Sequence, residues 1–479
     1  MLPTKIVVIG AGSASFGLNT LGAIIRSQRL HGSQVALVDQ NPRALEIVER
    51  LANRMNREWD ADMRITTHLH HQDALQDAGF IVSAIEAPPR EKLWRMDYEI
   101  PLKYGLRQPY AENGGPGGFA HAARNIGPVL AIARDIEQAC PDAWFINFSN
   151  PMIRVCQAVA RHSRVRVVGL CHQIKAGYGV VGYTLANDLG IEIPKDLFLS
   201  THADPKYWVP LNAIVQQALQ KVDIKAAGLN HFTWMLDVRD RKTGADLYPL
   251  FRQRLAALDP AIEPLTRRVM DAFGLFPIPG DEHLCEYLPW LSDPQTRPWE
   301  KFDISLYDWE GAEARRGAGH DLIERMGRGY EAIDPLLEAD SEGAIEVIEG
   351  IAGVRNAYHL AVNLPNDGYI TNLPQGAVVE VPGHFSGLGV RGVGMGALPE
   401  GIAELCRREC TVSQLTVDAV VKGDRQLALQ ALLLSPGISD LDVAQKVLDD
   451  YLAAYRENLP TFWQEGVVGK TGKKKEFSY

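Results

Sequence analysis

Cysteine, histidine and asparagine side chains lie where two strand-like runs of this sequence end. Cys171 and His172 follow the run RVVG, and Asn230 and His231 follow DIKAAGL. A thiolate and an imidazole bind borderline divalent cations and, as a pair, leave coordination positions open for substrate oxygens. Cys171 and His231 are therefore candidate metal ligands, with a packed thiol and a core histidine as the commoner roles of such residues.

A glycine turn near the N-terminus has the composition of a dinucleotide site. Gly10, Gly12, Ser13 and Ser15 follow the strand-like run KIVVI, and a helix is expected to begin near Phe16. The glycines permit a tight turn, and the helix N-terminus presents N–H groups to a pyrophosphate. Serine takes the third position of the motif, where glycine is usual.

Residues that follow two further strands are candidates for the same dinucleotide site. Asp39 ends the second strand, where an acid accepts hydrogen bonds from an adenosine ribose, and this favours NAD over NADP. Arg43 nearby leaves room for a 2′-phosphate. Asn147 and Asn150, in the run NFSNP, follow another strand at the edge where open parallel sheets bind ligands, so both join the cofactor-binding candidates.

A polar segment, GDEHLCEY over Gly280–Tyr287, follows the apolar run FGLFPIP. Taken from the residues alone, it is the start of a helix with Asp281 as its cap.

These residues need a sheet to bring them together. Over the first 170 residues, short β-branched runs alternate with amphipathic stretches at 43–56 and 127–140, which predicts an α/β fold with a Rossmann-type parallel sheet. Residues 104–119, rich in Gly and Pro, should form a loop. Later, strand-like stretches at 207–217 and 223–240 precede helical ones at 251–273, 335–349 and 403–455, which predicts an interlocked mixed α/β lobe. We divide the chain into a nucleotide-binding domain (1–195), a substrate and metal domain (196–465) and a basic tail (466–479).

Composition limits the partners. The net charge of −10 over 479 residues argues against nucleic acid and anionic membranes. No apolar run approaches the ~18 residues of a membrane span. Six cysteines without a framework spacing favour reduced thiols and hence a cytoplasmic location.

The order of the motifs resembles glycoside hydrolase family 4 over about residues 5–460. The motifs are GAGSASF, the GGPGG loop, NFSNP, GLCH, GLNHF, GDEHLCEYLP and GYITNLPQGAVVEVP. The chain is also similar to the neighbouring NAD-dependent sulfoquinovosidase family. The resemblance implies a homodimer or homotetramer that hydrolyses α-glycosides with NAD and a divalent metal, with Mn²⁺ as the expected ion. In that reaction C3 is oxidised, the C2 proton is removed, the C1 substituent leaves, water adds and the hydride returns.

The resemblance also implies residue roles. Cys171 and His231 would bind the metal, and Asp281 would be the base. Tyr287 is a second candidate base, with aromatic packing as its alternative role. His172 stands where phosphoglycosidase members carry an aspartate acid, so it either protonates the leaving group or orients the sugar.

Other side chains are assigned to the substrate. Asn150 would hold sugar hydroxyls, Arg95 would contact the sugar, and Asn230 lies beside the metal histidine. Lys175 and Arg124 could pair with an anionic group at C6, although a surface position is the commoner role of such charges.

The run Cys-His-Gln-Ile matches no single substrate class of the family. This run disfavours a 6-phosphosugar as the substrate. We expect an anionic hexopyranoside instead, with a sulfoquinovoside as the first candidate and a hexuronide as the second. The alternatives are a neutral α-glucosidase or α-galactosidase of the same mechanism, an NAD-dependent 2-hydroxyacid dehydrogenase, and a non-catalytic NAD-binding regulator.

Overall fold

A computed structural model describes residues 3–13, 17–195, 197, 199, 208–291, 295–338 and 340–464. The predictions for Ser15, Phe16 and the basic tail fall outside these residues. No helix within them has both the length and the apolar composition needed to cross a membrane.

The described residues contain one sheet of twelve strands. The strands are β1 Lys5–Ile9, β2 Gln34–Val38, β3 Arg64–His68, β4 Phe80–Ser83, β5 Trp144–Asn147, β6 Arg166–Gly169, β7 Val222–Leu229, β8 Phe232–Asp240, β9 Phe276–Pro277, β10 Ala357–Pro365, β11 Val378–Ser386 and β12 Gly389–Gly392. Strands β1 to β6 are parallel to one another, and the pairings among the later strands are antiparallel.

The parallel strands are apolar because both of their faces are covered. In β1, Ile6 and Val8 belong to one buried cluster, and Val7 and Ile9 belong to another. A strand between two packed layers needs apolar side chains at successive positions, as in KIVVI. The edge strand β3 has the polar sequence RITTH and is only partly buried, which explains why the sequence analysis missed it.

The order of the parallel strands is β3-β2-β1-β4-β5-β6. In this arrangement the connections from β1 and β4 leave the sheet in opposite directions, and a crevice opens between their carboxyl ends. The predicted Rossmann-type sheet is confirmed.

The second half of the chain extends the same sheet. Strand β10 pairs antiparallel with β6, and β11 pairs with β7. Strands β7 and β8 form a hairpin with Asn230 and His231 in its turn. The two halves are therefore interlocked as predicted, and the end of β6 lies close to the hairpin turn.

Helices pack on both faces of the parallel strands. The helices are α1 Gly17–Arg26, α2 Pro42–Glu58, α3 Arg90–Leu102, α4 Gly115–Ala139, α5 Met152–His162, α6 Ile174–Thr184, α7 Ala186–Leu189, α8 Trp208–Lys221, α9 Tyr248–Ala257, α10 Pro264–Phe273, α11 Gly280–Tyr287, α12 Pro298–Lys301, α13 Trp309–Arg328, α14 Ala344–Ile351, α15 Glu400–Lys422, α16 Arg425–Leu434 and α17 Leu441–Ala454.

Two predicted elements are wrong. Residues 208–217 of the expected strand belong to α8, in which Ile214 and Ala218, one helical turn apart, pack against Gly182 of α6. The loop expected over 104–119 ends early, because α4 begins at Gly115 with Pro116 in its first turn. Proline is well suited to a first turn, where its missing N–H costs no hydrogen bond.

Candidate active site

The glycine turn after β1 packs against the end of β4. Gly10 has a φ of +84°, and a Cβ there would lie 2.5 Å from the carbonyl oxygen of Ala84. Glycine alone combines that backbone conformation with so close an approach. The turn forms a narrow floor where sheets of this strand order bind dinucleotides.

Asp39 holds the glycine turn in place. Its Oδ2 accepts a hydrogen bond from the Gly12 N–H at 2.8 Å, and its Oδ1 accepts one from the Asn41 N–H at 2.8 Å. Arg43, in the first turn of α2, forms a salt bridge of 3.3 Å with Glu324 of α13. Because that guanidinium already has a carboxylate partner, the pocket favours a dinucleotide without a 2′-phosphate.

The two asparagines after β5 have different positions. Asn147 is fully buried, and its amide exchanges hydrogen bonds with the backbone of Ser149, so it shapes the turn. Asn150 lies nearer the cleft and donates from Nδ2 to Glu112 Oε1 at 3.0 Å. Of these two predicted cofactor residues, Asn150 has the side chain that reaches the other polar groups.

The candidate metal ligands meet. Cys171 Sγ and His231 Nε2 lie 3.6 Å apart, and the His231 N–H donates to Gln173 Oε1. Burial lowers the pKa of His231 well below its usual value, which leaves the neutral imidazole that metals require. Burial raises the pKa of the Cys171 thiol to about 12, so a bound cation would have to displace its proton.

Two ligands do not complete a metal centre. Among the residues described, no three His, Cys, Asp or Glu side chains converge on a single ion position. Catalytic sites of this kind leave positions for water or substrate. Cys171 and His231 therefore suit a cation that also binds the substrate.

Glu380 of β11 fixes the hairpin turn that carries His231. Its carboxylate accepts hydrogen bonds from Asn230 Nδ2 at 2.7 Å, Thr233 Oγ1 at 2.5 Å and Asn363 Nδ2 at 3.1 Å. Asn230 Oδ1 has no hydrogen-bond partner within the described residues. This oxygen is a buried acceptor beside His231.

The sequence analysis missed His283 and Glu286, which lie one helical turn apart on α11. The His283 ring stacks on His231 with centroids 4.6 Å apart and also contacts Tyr110, with centroids 4.4 Å apart. His283 Nδ1 lies 2.9 Å from Glu286 Oε2. Because a carboxylate only accepts, the neutral ring carries its hydrogen on Nδ1, and Nε2 is then left as an acceptor.

Glu286 also holds the glycine loop. Its Oε1 accepts hydrogen bonds from the N–H groups of Glu112 and Asn113 at 2.7 and 2.8 Å. Glu112, likewise missed from sequence, then presents its carboxylate to Asn150 and Asn113. One buried carboxylate thus joins the loop before α4 to the pair of stacked histidines.

A second missed pair lies behind this loop. His121 Nε2 is 2.8 Å from Glu86, which follows β4, and His121 Nδ1 is 2.9 Å from the Glu112 carbonyl oxygen. Burial opposes ionisation of Glu86, yet His121 and Arg90 outweigh it and hold the pKa of Glu86 at about 2.

Asp281 and Tyr287 both make structural contacts, but Asp281 lies inside α11 and does not cap that helix as the residues alone suggested. Both Asp281 carboxylate oxygens accept backbone N–H groups, those of Leu265 and Thr266 at the start of α10. Tyr287 stacks on Phe232 at 4.9 Å and donates to the Asn230 carbonyl oxygen at 3.3 Å. Burial raises the pKa of Tyr287 well above its usual value.

His172 and Lys175 lie at the mouth of the site beside acids. His172 is 68% exposed, and Glu342, 3.0 Å from its Nδ1, raises the pKa of the imidazole. Lys175 forms a salt bridge with Asp340. Burial lowers the pKa of Lys175.

The two predicted arginines do not join the cluster. Arg124 is fully buried and pairs with Asp97, with 2.7 Å between Nη2 and Oδ2. Arg95 lies on the exposed side of α3 and pairs with Glu99 at 2.8 Å and with Glu310 at 3.6 Å. The Arg124 guanidinium is already paired with a buried carboxylate, so a role for it in sugar binding stays a prediction that this pairing does not favour.

The arrangement can bind a dinucleotide and a cation at one edge of a sheet and present three kinds of polar group to a small substrate. An imidazole acceptor comes from His283, an amide from Asn150, and a carboxylate from Glu112. The spacing of His283 and Glu286, three residues apart before a buried tyrosine, was the signal that could have found them. Helices place such a pair on one face.

Most of the chain matches the models of one protein family. Residues 5–184 match the family model described as "Family 4 glycosyl hydrolase", and residues 226–438 match the model of its C-terminal domain. An alpha-glucosidase from Erwinia rhapontici is 30% identical over 475 residues, covering 90% of this chain and 94% of that protein. An alpha-galactosidase from Bacillus subtilis is 28% identical over 477 residues, covering 96% and 99%.

The fold is shared with solved structures. A 6-phospho-alpha-glucosidase from gut microorganisms, solved in complex with NAD and Mn²⁺, superposes with a TM-score of 0.75 at 21% identity, covering 96% of this chain and 99% of that one.

Proposed function

Since this chain belongs to family 4 of the glycosyl hydrolases, we propose that it hydrolyses α-hexopyranosides with bound NAD and a divalent cation, Mn²⁺ first among candidates. The observation that carries the proposal is the meeting of Cys171 Sγ and His231 Nε2, 3.6 Å apart, at the same edge of the sheet as the glycine turn. The fold supports both sites, and the named activities of the relatives support the substrate class.

The residues present fit both groups. Gly10 and Gly12 leave a floor with no side chains, and Asp39 stands where an adenosine ribose would lie. The neutral imidazole of His231 and the thiol of Cys171 form a donor set suited to a borderline cation. When bound, NAD accepts and later returns a hydride at C3 of the sugar, while the cation favours loss of the neighbouring C2 proton.

The chain's own residues must hold the sugar and move its protons. Asn150 and Glu112 lie between the glycine loop and the metal pair, so we assign them to sugar hydroxyls. Asn230 Oδ1, without a partner within the described residues, is a third acceptor on the side of His231.

We assign the removal of the sugar's C2 proton to His283 Nε2 in preference to Asp281. Glu286 fixes His283 with Nδ1 protonated, so that Nε2 has a free lone pair beside the metal histidine. An Asp281 base would first have to give up its two hydrogen bonds with the start of α10. Losing them would leave buried N–H groups unpaired.

His172 is the candidate acid for the leaving group. It is exposed at the mouth, where a departing group would exit, and Glu342 keeps its proton available by raising the pKa of the imidazole. An acid with a pKa near the working pH is the most effective proton donor.

The charge of the sugar is the finer part of the proposal. The anionic preference expected from sequence relied on Lys175 and Arg124, and both cations are paired with carboxylates, Asp340 and Asp97. Neither charge is left for a sulfonate or a carboxylate at C6. This pairing and the activities named for the two relatives favour a neutral α-glucoside or α-galactoside, with an anionic hexopyranoside as the second candidate.

The test is p-nitrophenol release from aryl α-glucoside, α-galactoside, α-glucuronide and α-sulfoquinovoside, with Mn²⁺ and with or without NAD. We expect release that requires NAD, without accumulation of NADH, on the neutral pair. Release confined to the charged pair would reverse the sugar assignment. NADH accumulating on 2-hydroxyacids would favour a dehydrogenase, and no turnover on any compound would favour a regulator.

A further inference from the structure

We propose that helix α13 is a gate over the dinucleotide crevice, and that NAD enters and leaves only when α13 dissociates from the carboxyl edge of the sheet. The inference rests on the proposed function, because it concerns the cofactor that this function requires.

Helix α13 comes from the second half of the chain but contacts the nucleotide half at its strand ends. His320 Nε2 lies 2.9 Å from the carbonyl oxygen of Gly12, in the glycine turn after β1. Glu324, one turn further on, pairs with Arg43 after β2 at 3.3 Å. The helix therefore lies in front of the turn on which a pyrophosphate would rest.

A third contact continues the same line. Arg316, one turn before His320, forms a salt bridge with Glu91 at the start of α3, after β4. Strands β2, β1 and β4 are neighbours in the sheet. Because α13 contacts the connection that follows each of them, it crosses the crevice from one wall to the other.

The two ends of α13 are anchored by apolar side chains, whereas its middle is held to the crevice walls mainly by the polar contacts of Arg316 and His320. Ile323 and Met326 are buried with the side chains of α2, and Trp309 lies 5.1 Å from the ring of Tyr98 on α3. Between them, residues 313–322 include no buried side chain. Segments with few buried apolar contacts are the first to open locally.

The sequence of the middle also weakens the helix. Gly317 and Gly319 lie one turn or less from His320, and glycine is among the poorest residues in a helix interior. A Cβ at Gly317 would meet nothing within 4 Å, so packing does not require glycine there. The weak segment coincides with the part of the helix that covers the crevice.

A gate suits a cofactor that each turnover restores. Because the proposed reaction returns the hydride to the sugar, NAD need not leave between turnovers. Closing the crevice would retain the cofactor without slowing the reaction.

The test measures NAD association and dissociation rates of the full chain by stopped-flow quenching of tryptophan fluorescence. His320→Ala should raise both rates, by about tenfold, because one hydrogen bond that holds the gate closed is lost. Gly317→Ala should lower both rates by about threefold, because it stabilises the helix without a clash. Asp321→Asn, on the exposed side of the same helix, is the matched control and should leave both rates unchanged, because Asp and Asn have similar helix propensities.

The direction of the association rate separates a gate from a simple contact. If His320→Ala raises dissociation alone, His320 only contacts NAD and the gate is overturned. Wild-type rates in both His320→Ala and Gly317→Ala would overturn it as well, while leaving the proposed function intact. If the wild-type chain binds no NAD at all, the proposed function itself fails.

Discussion

Replacing Glu286 with glutamine tests the assignment of His283. The wild-type carboxylate accepts the Glu112 and Asn113 N–H groups at one oxygen and His283 Nδ1–H at the other. Glutamine keeps a carbonyl oxygen for the two amides but offers an NH₂ group to the imidazole. The ring must then carry its hydrogen on Nε2, so that Nε2 can no longer accept a proton from the sugar.

The size of the effect follows from the bond that is lost. A hydrogen bond to a charged group contributes about 1.5–3 kcal/mol, and ~2.7 kcal/mol corresponds to a factor of about 100 in rate. We expect kcat for aryl glycoside hydrolysis to fall by about 100-fold in Glu286→Gln. The affinity for NAD should change by less than about twofold, since Gly10 and Asp39 lie on other connections of the sheet.

The assay combines p-nitrophenol release with NAD titration and ¹⁵N spectra of labelled histidine, which report the tautomer directly. Glu349→Gln is the matched control, because Glu349 is a buried carboxylate that accepts from Ser27 Oγ, after the end of α1, at 2.6 Å and contacts Arg355 rather than His283. A Glu286→Gln enzyme with kcat within twofold of wild type would refute the reasoning. An equal loss in Glu349→Gln would show that the effect is general destabilisation.

Three further outcomes are expected. Cys171→Ser should weaken Mn²⁺ binding by at least about tenfold in calorimetry, while Cys140→Ser, at the opposite edge of the sheet, should not; equal affinities would remove Cys171 from the metal site. Arg124→Met should lower the free energy of unfolding by about 3–5 kcal/mol, because it leaves a buried carboxylate unpaired. A selective loss of activity on charged glycosides, with stability unchanged, would instead return Arg124 to the substrate. Glu86 has a pKa of about 2 in the fold against 4.5 when solvated, so its contribution to stability is complete above about pH 4.5 and is lost as the pH falls toward 2. The melting-temperature deficit of Glu86→Gln should therefore shrink from pH 6 to pH 3, and a deficit that grows on acidification would contradict the pairing with His121.

The local sequence was sufficient to predict the parallel sheet and the glycine turn. Runs such as KIVVI report burial on both faces, and Gly10 reports a backbone conformation that other residues avoid. The order of the motifs was sufficient to identify the family, and the matching family models confirm that identification. The strand predicted at 207–217 failed because a short apolar run has no reliable period, and only packing against α6 made it a helix.

The site itself needed the tertiary structure. Cys171 and His231 were expected to meet because each follows a strand, but their meeting depends on β10 joining the two halves of the sheet. Asp281 and His283 share one helix turn, and sequence could not tell which of them faces the cleft. Tertiary packing decided it, since the start of α10 takes the Asp281 carboxylate while Glu286 turns His283 toward His231. The sequence determines which side chains are present, whereas the direction in which each one points depends on neighbours that are distant in sequence.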